Sequence, residues 1–221
     1  MRSLNNLAAG VILVGSLTVS LFAGDDDKKT WTFDDDQTGA IAKGFSNDAG
    51  EWKVVDSDSG KALAQTASSP GPFFNVTLIE GTNAKDVDLT VKLKAVEGKR
   101  DQGGGLVWRA KDAKNYYIAR YNHLEDNYRV YKVVDGRRSQ PFQNANIKHH
   151  DGWTTLRVTM KGDHIVCYLD GMKYLDVHDS TYTEAGKIGL WSKSDARSQF
   201  DELTLKGADD DDDDDKPGAK K

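Results

Sequence analysis

Eight residues between positions 108 and 131 are of the types that grip polyhydroxylated ligands: Trp108, Arg109, Tyr117, Arg120, His123, Glu125, Arg129 and Tyr131. Aromatic rings stack on the apolar face of a pyranose, and Arg and Glu make charge-assisted hydrogen bonds to hydroxyls. Arg109, Tyr117, Arg120, Arg129 and Tyr131 are the expected ligand contacts. Glu125 and His123 are the residues of a type that moves protons. The competing explanation is structural: Tyr and Trp are good strand formers, and Arg on a wet sheet face often only pairs with Asp or Glu.

Three further groups could bind ions. Asp34, Asp35 and Asp36 follow Phe33, and Asp201 and Glu202 follow Phe200. If the first and last strands pair, Asp34, Asp35 and Asp201 are candidate hard oxygen ligands for Ca²⁺, and solvated acidic turns are the alternative. His149-His150-Asp151 offers two imidazoles, but adjacent residues of an extended chain diverge, so a surface loop is the expectation. The run Asp209–Asp215 could gather cations or simply solubilise the chain end.

The elements that must hold the first group are strands. Leu106–Lys111, Tyr116–Tyr121 and Tyr128–Val134 read as an antiparallel meander, and Asp135-Gly136 as a tight hairpin turn. Parity puts Leu106 and Trp108 on one face and Val107 and Arg109 on the other, which makes Trp108 a core candidate. Asp86–Val96 alternates strictly, with Val87, Leu89, Val91 and Leu93 on one side. Glu97–Gly104 reads as a flexible loop, and Pro141–Asp151 as irregular. Trp153–Lys161, His164–Leu169 and Met172–Val177 continue as hairpins through Gly162 and Asp170-Gly171. Short strands at regular spacing, without a convincing amphipathic helix, predict an all-β sandwich or jelly roll. There is no repeat at solenoid or propeller period.

Arg2 followed by the uncharged run Leu7–Ala23 reads as a secretory signal peptide, with cleavage expected after Ala23. The expected location is secreted or periplasmic, without a membrane span after cleavage. The expected domains are signal 1–23, polar leader 24–30, sandwich 31–206 and an Asp-rich disordered tail 207–221. Cys167 is the single cysteine, so no internal disulfide forms, and its parity with Ile165 and Leu169 makes it core filler. The chain carries 30 Lys and Arg against 35 Asp and Glu. Much of the excess acid lies in the tail, where seven Asp face three Lys. The body is nearly neutral, with no basic footprint for nucleic acid.

Four segments carry a family resemblance: FDDD after the Trp/Phe strand, GGGLVWRAKDAKNYYIARYNHLEDNYRVYKVVDGRR, DGWTTLRVTMKGDHIVCYLDGMKYLDV and GKIGLWSKSDARSQFDELTL. Together they resemble the concanavalin A-like lectin/glucanase superfamily, and within it the bacterial secreted domains classed with the 3-keto-disaccharide hydrolases. The resemblance implies a jelly roll of two curved antiparallel sheets, with glycan on the concave face. A keto-sugar hydrolase would need a base beside the ketone, and Glu125 or His123 is the available type. Laminarinase-type members carry Glu-x-Asp-x-x-Glu on one strand, and this chain lacks that motif. The reading is therefore a carbohydrate-binding domain whose partner is an oligosaccharide or polysaccharide. A hydrolase of 3-keto-disaccharides and a cell-surface interaction domain are the alternatives.

Overall fold

In the computed structural model, residues 28–69, 71–148 and 150–207 are described. The signal segment, the Asp run and His149 lie outside them. Fifteen strands follow in chain order: β1 Lys29–Trp31, β2 Trp52–Ser57, β3 Gly60–Gln65, β4 Phe74–Leu78, β5 Val87–Glu97, β6 Gly103–Asp112, β7 Asn115–Asn122, β8 Asn127–Val134, β9 Arg137–Arg138, β10 Gln143–Asn146, β11 Trp153–Lys161, β12 His164–Leu169, β13 Met172–His178, β14 Lys187–Lys193 and β15 Arg197–Lys206. No helix interrupts the described residues.

The strands form two antiparallel sheets. The first runs β13-β12-β11-β5-β15-β3-β2, with β1 pairing to β15; the second runs β10-β8-β7-β6-β14-β4, with β9 pairing to β8. The first and last strands do pair, with Lys29 opposite Leu205. The tight turns behave as their sequences demand. Asp135-Gly136 and Asp170-Gly171 all have positive φ, between 48° and 80°, which Gly tolerates without a Cβ penalty and Asp better than most residues.

Period two explains the core. Val87, Leu89, Val91 and Leu93 of β5 are fully buried and meet Leu106, Trp108, Tyr117 and Tyr121 of the second sheet. Truncating one such residue, Leu93 to Ala, costs about 2–5 kcal/mol of stability through lost transfer energy and the cavity left behind. Cys167 lies in the same core, and burial pushes its thiol pKa well up. A second apolar cluster occupies the other face of the second sheet: Val76, Leu78, Val107, Tyr116, Ile118, Tyr131, Val133 and Trp191. Among the described residues no sheet covers this face, and Ala49, Phe74 and Ala113 of flanking segments pack against the cluster.

Two expectations change. The segment 98–102 is pinned, because Asp195 accepts hydrogen bonds from the backbone N–H groups of Lys99, Arg100 and Asp101 at 2.9 to 3.2 Å. Pro141–Asp151 is not all irregular: β10 pairs with β8, Asn144 opposite Arg129. Its polar sequence, Gln-Asn-Ala-Asn, hid an edge strand that has only one neighbour to satisfy.

Candidate functional site

The outer face of the second sheet gathers Arg120, Glu125, Arg129 and Tyr131. In the β7–β8 register Arg120 stands opposite Arg129. Like charges across an antiparallel pair repel. Glu125, in the turn between these strands, answers both: its Oε2 lies 3.3 Å from Nη1 of Arg120 and 3.3 Å from Nη1 of Arg129. Asn122 shapes that turn, its Oδ1 accepting the N–H groups of Leu124 and Glu125 at 2.8 and 3.1 Å. Asn127 donates to Glu125 Oε2 at 3.0 Å.

Asp101 completes the set from the pinned loop. Its Oδ2 lies 2.7 Å from Arg120 Nη2, and its Oδ1 accepts from Asn122 at 3.1 Å. Lys193 of β14 approaches the same Oδ2 at 3.6 Å. The register partner of Arg120, Gly105, lets the two strands approach closely, since a Cβ there would fall 2.1 Å from the Ala119 carbonyl oxygen. Burial pushes the Asp101 carboxyl pKa up, against Arg120 and Lys193. Desolvation works against charge on Arg120 too, but Asp101 and Glu125 outweigh it and hold the guanidinium charged. For Glu125 burial is likewise outweighed, by the Asn127 hydrogen bond and then by Arg120, so its carboxyl stays below the usual carboxylate range.

An open basin of about 410 Å³ adjoins this network, lined among others by Pro72, Phe74, Arg129, Tyr131, Arg138 and Lys193. Arg138 lies over the Tyr131 ring at 4.3 Å and faces Phe74 at 5.7 Å, and its buried Nη1 has no hydrogen-bond partner. Phe73, 61% exposed, sits in the chain between the basin residues Pro72 and Phe74. Four cations (Arg120, Arg129, Arg138 and Lys193) share two carboxylates, Asp101 and Glu125, and leave the site positive. Spare cationic donors beside aromatic rings suit a ligand rich in oxygen acceptors.

The other expected contacts lie elsewhere. Arg109 points away from the basin and is buried. It has a φ of 47° and sits where the β6–β7 register slips, so the bulge reverses the parity that placed it outside. It binds the carbonyls of Lys85, Tyr182 and Gly162 at 2.5 to 2.7 Å and Asp86 at 3.1 Å, which makes it a structural clamp. Tyr117 faces the core, stacked on Trp108 with centroids 5.6 Å apart, and its hydroxyl donates to Asp179 Oδ1 at 2.6 Å. His123 is buried with its ring edge-to-face on Tyr121, a residue of the inner core, so it does not accompany Glu125. Asp34, Asp35 and Asp201 do not converge as three ligands. Asp34 accepts the Lys61 N–H at 2.9 Å, Asp201 accepts the Glu202 N–H at 2.7 Å, and Asp35 is exposed. Asp201 is buried, and its carboxyl pKa is raised by that burial first, with Glu202 and Asp34 adding to it. His150 bonds Asp170 at 3.1 Å on the surface.

Sequence reasoning missed Asp101, Phe74, Arg138 and Lys193. Each lies outside the meander in a loop or at a strand end, where alternation carries no signal.

Residues 18–206 match the family described as the 3-keto-alpha-glucoside-1,2-lyase-like domain. A curated relative, a levanase of Bacillus subtilis, is 29% identical over 209 residues, covering 89% of this chain and 27% of the levanase. The chain thus spans about a quarter of the length of that relative. Among solved structures, carbohydrate binding module CBM66 from Bacillus subtilis superposes with a TM-score of 0.64 at 24% identity, over 74% of this chain and 96% of that one. Domain 4 of AbnA, an extracellular arabinanase from Geobacillus stearothermophilus, solved with arabinotriose, gives 0.55 at 13% identity, over 82% and 93%. These likenesses fix the jelly-roll sandwich, and the match over residues 18–206 shows that the chain belongs to the 3-keto-alpha-glucoside-1,2-lyase-like domain family.

Proposed function

We propose that this chain is an exported carbohydrate-binding domain that receives an oligosaccharide or polysaccharide in the basin between Phe74, Tyr131, Arg129, Arg138 and Lys193. The observation that carries this reading is an open basin that gathers Arg129, Arg138 and Lys193 beside the rings of Phe74 and Tyr131, with no carboxylate among the residues that line it. A sugar supplies hydroxyl and ring oxygens to the cationic donors of the basin and an apolar ring face to the exposed Phe73. Names among the relatives support the class: a levanase, a carbohydrate binding module and an arabinanase domain solved with arabinotriose.

A catalytic reading follows from the family name, since a lyase or hydrolase of 3-keto-glucosides needs a base. Glu125 adjoins the basin through Arg129, 3.3 Å away. Its Oε2 is occupied by three donors and its pKa is depressed, which weakens it as a base.

The experiment is retention and cleavage on one panel: levan, arabinan oligosaccharides and 3-keto-disaccharides, with bound and cleaved sugar measured by mass spectrometry. Binding without cleavage, weakened at least tenfold in Arg138→Ala, supports the binding reading. Cleavage that Glu125→Gln abolishes replaces it with the catalytic one. Absence of both overturns carbohydrate as the ligand.

A further inference from the structure

The hairpin β12–β13 of the first sheet carries a cluster that shares no residue with the basin. His164 stands directly opposite His178 in the strand register, and their rings stack with centroids 4.5 Å apart and planes 11° apart. Asp176, two residues before His178, shares its face. Asp176 Oδ1 lies 2.7 Å from His164 Nε2. The donor atoms of the three side chains all lie within 4.8 Å of one another, and among the described residues no other such group of three or more is present.

This juxtaposition depends on a bulge. The Asp170-Gly171 turn pairs Leu169 with Met172 and Tyr168 with Lys173, but the register shifts between Cys167 and Tyr168. Without that one-residue shift His164 would face Val177, whose side chain points to the opposite side. The extra residue swings His178 and Asp176 into line with His164 on the wet face of the sheet, while Ile165 and Cys167 stay in the core.

We propose that His164, Asp176 and His178 form a binding site for a divalent transition-metal ion of the zinc type. Two imidazoles and one carboxylate are the borderline ligands that Zn²⁺ takes, with a fourth position left to water. Ligand atoms about 2.0–2.2 Å from a tetrahedral ion lie roughly 3.4 Å apart. The Asp176–His164 pair, at 2.7 Å, must part by less than about 1 Å to admit an ion between them, and the three exposed side chains are free to rotate by that much. The surroundings orient the ligands as outer partners do in metal sites. Asp163 Oδ1 lies 3.2 Å from His178 Nδ1, which directs Nε2 of that ring to the ion. Lys173 approaches Asp176 Oδ2 at 3.4 Å and leaves Oδ1 for coordination. Gln143 of β10 accepts the Asp176 N–H at 2.7 Å and holds the edge strand in place. An ion here would staple the outermost strand β13 to β12.

Equilibrium dialysis of the full chain against Zn²⁺ tests the site, with His164→Gln/His178→Gln as comparison and circular dichroism as the folding check. Any zinc held by the Asp-rich segments is common to both proteins, so the difference between the two is the readout. The wild type is expected to hold one more zinc ion per chain, with at least tenfold loss of that affinity in the double variant. Equal zinc in both, or none in either, overturns the site. If the variant does not fold, histidine ring NMR of the wild type decides. Zinc must shift the resonances of His164 and His178, and shifts confined to other histidines, or none, refute it.

Discussion

Arg120 and Asp101 meet at 2.7 Å with both side chains only 1% exposed, on a sheet face that no second sheet covers. One comes from the middle of a strand and the other from the loop before the preceding strand. Removing one partner of such a buried pair leaves a bare charge out of water. Asp101→Ala is therefore expected to cost about 3–5 kcal/mol of unfolding free energy by urea titration. A loss under about 1 kcal/mol would mean that the pair is already wet.

The loop that delivers Asp101 depends on Asp195. Burial raises the Asp195 carboxyl pKa, but the three backbone N–H groups of Lys99, Arg100 and Asp101 outweigh it and hold it ionised. Asp195→Ala leaves those donors to solvent, with an expected cost of about 1–2 kcal/mol, like the loss of a helix cap. Sugar affinity should fall together with stability, because Asp101 positions Arg120 and Lys193. Calorimetric titration of the folded variant checks this, and unchanged affinity would disconnect the loop from the site.

At the basin, Arg129→Ala removes a half-exposed side chain bonded to Asn144 at 2.5 Å and Glu125 at 3.3 Å. Thermal stability should change little, since exposed ion pairs are worth about 0–1 kcal/mol. Sugar binding should weaken about tenfold. A large fall in melting temperature with intact binding would assign Arg129 to the scaffold instead.

Asp179 makes the fold sensitive to acid. Burial raises its carboxyl pKa, but hydrogen bonds from Thr181 and Tyr117, with Lys132 beside it, bring it down to about 2. The folded value lies below the unfolded one, about 3.9. The stabilisation is thus complete above pH 4 and is lost as pH falls toward 2. Asp179→Asn should lower stability at pH 7 and flatten its decline between pH 4 and pH 2. Parallel curves for both proteins across that window would exclude Asp179 as a source of acid sensitivity.

Period two was readable from residues alone. It predicted the core faces of β5 and β12, the inward Trp108 and Cys167, and the Asp-Gly turns, because alternation and turn chemistry are local properties. Family membership was readable too, from the four quoted segments. Local alternation failed at the bulges. At Arg109 a positive φ turned an expected ligand contact into a clamp on Asp86 and Tyr182, and between Cys167 and Tyr168 another slip brought His164 to His178. Tyr117 shares parity with Ala119 and Tyr121, and only packing against the first sheet decided that this face was the dry one. Asp101, Arg138 and Lys193 reach the site from segments distant in sequence, and which of them meet is set by strand order. The chain by itself determined the strands and their periodicity. Strand order and bulges, which depend on long-range pairing, decided which charges share a face.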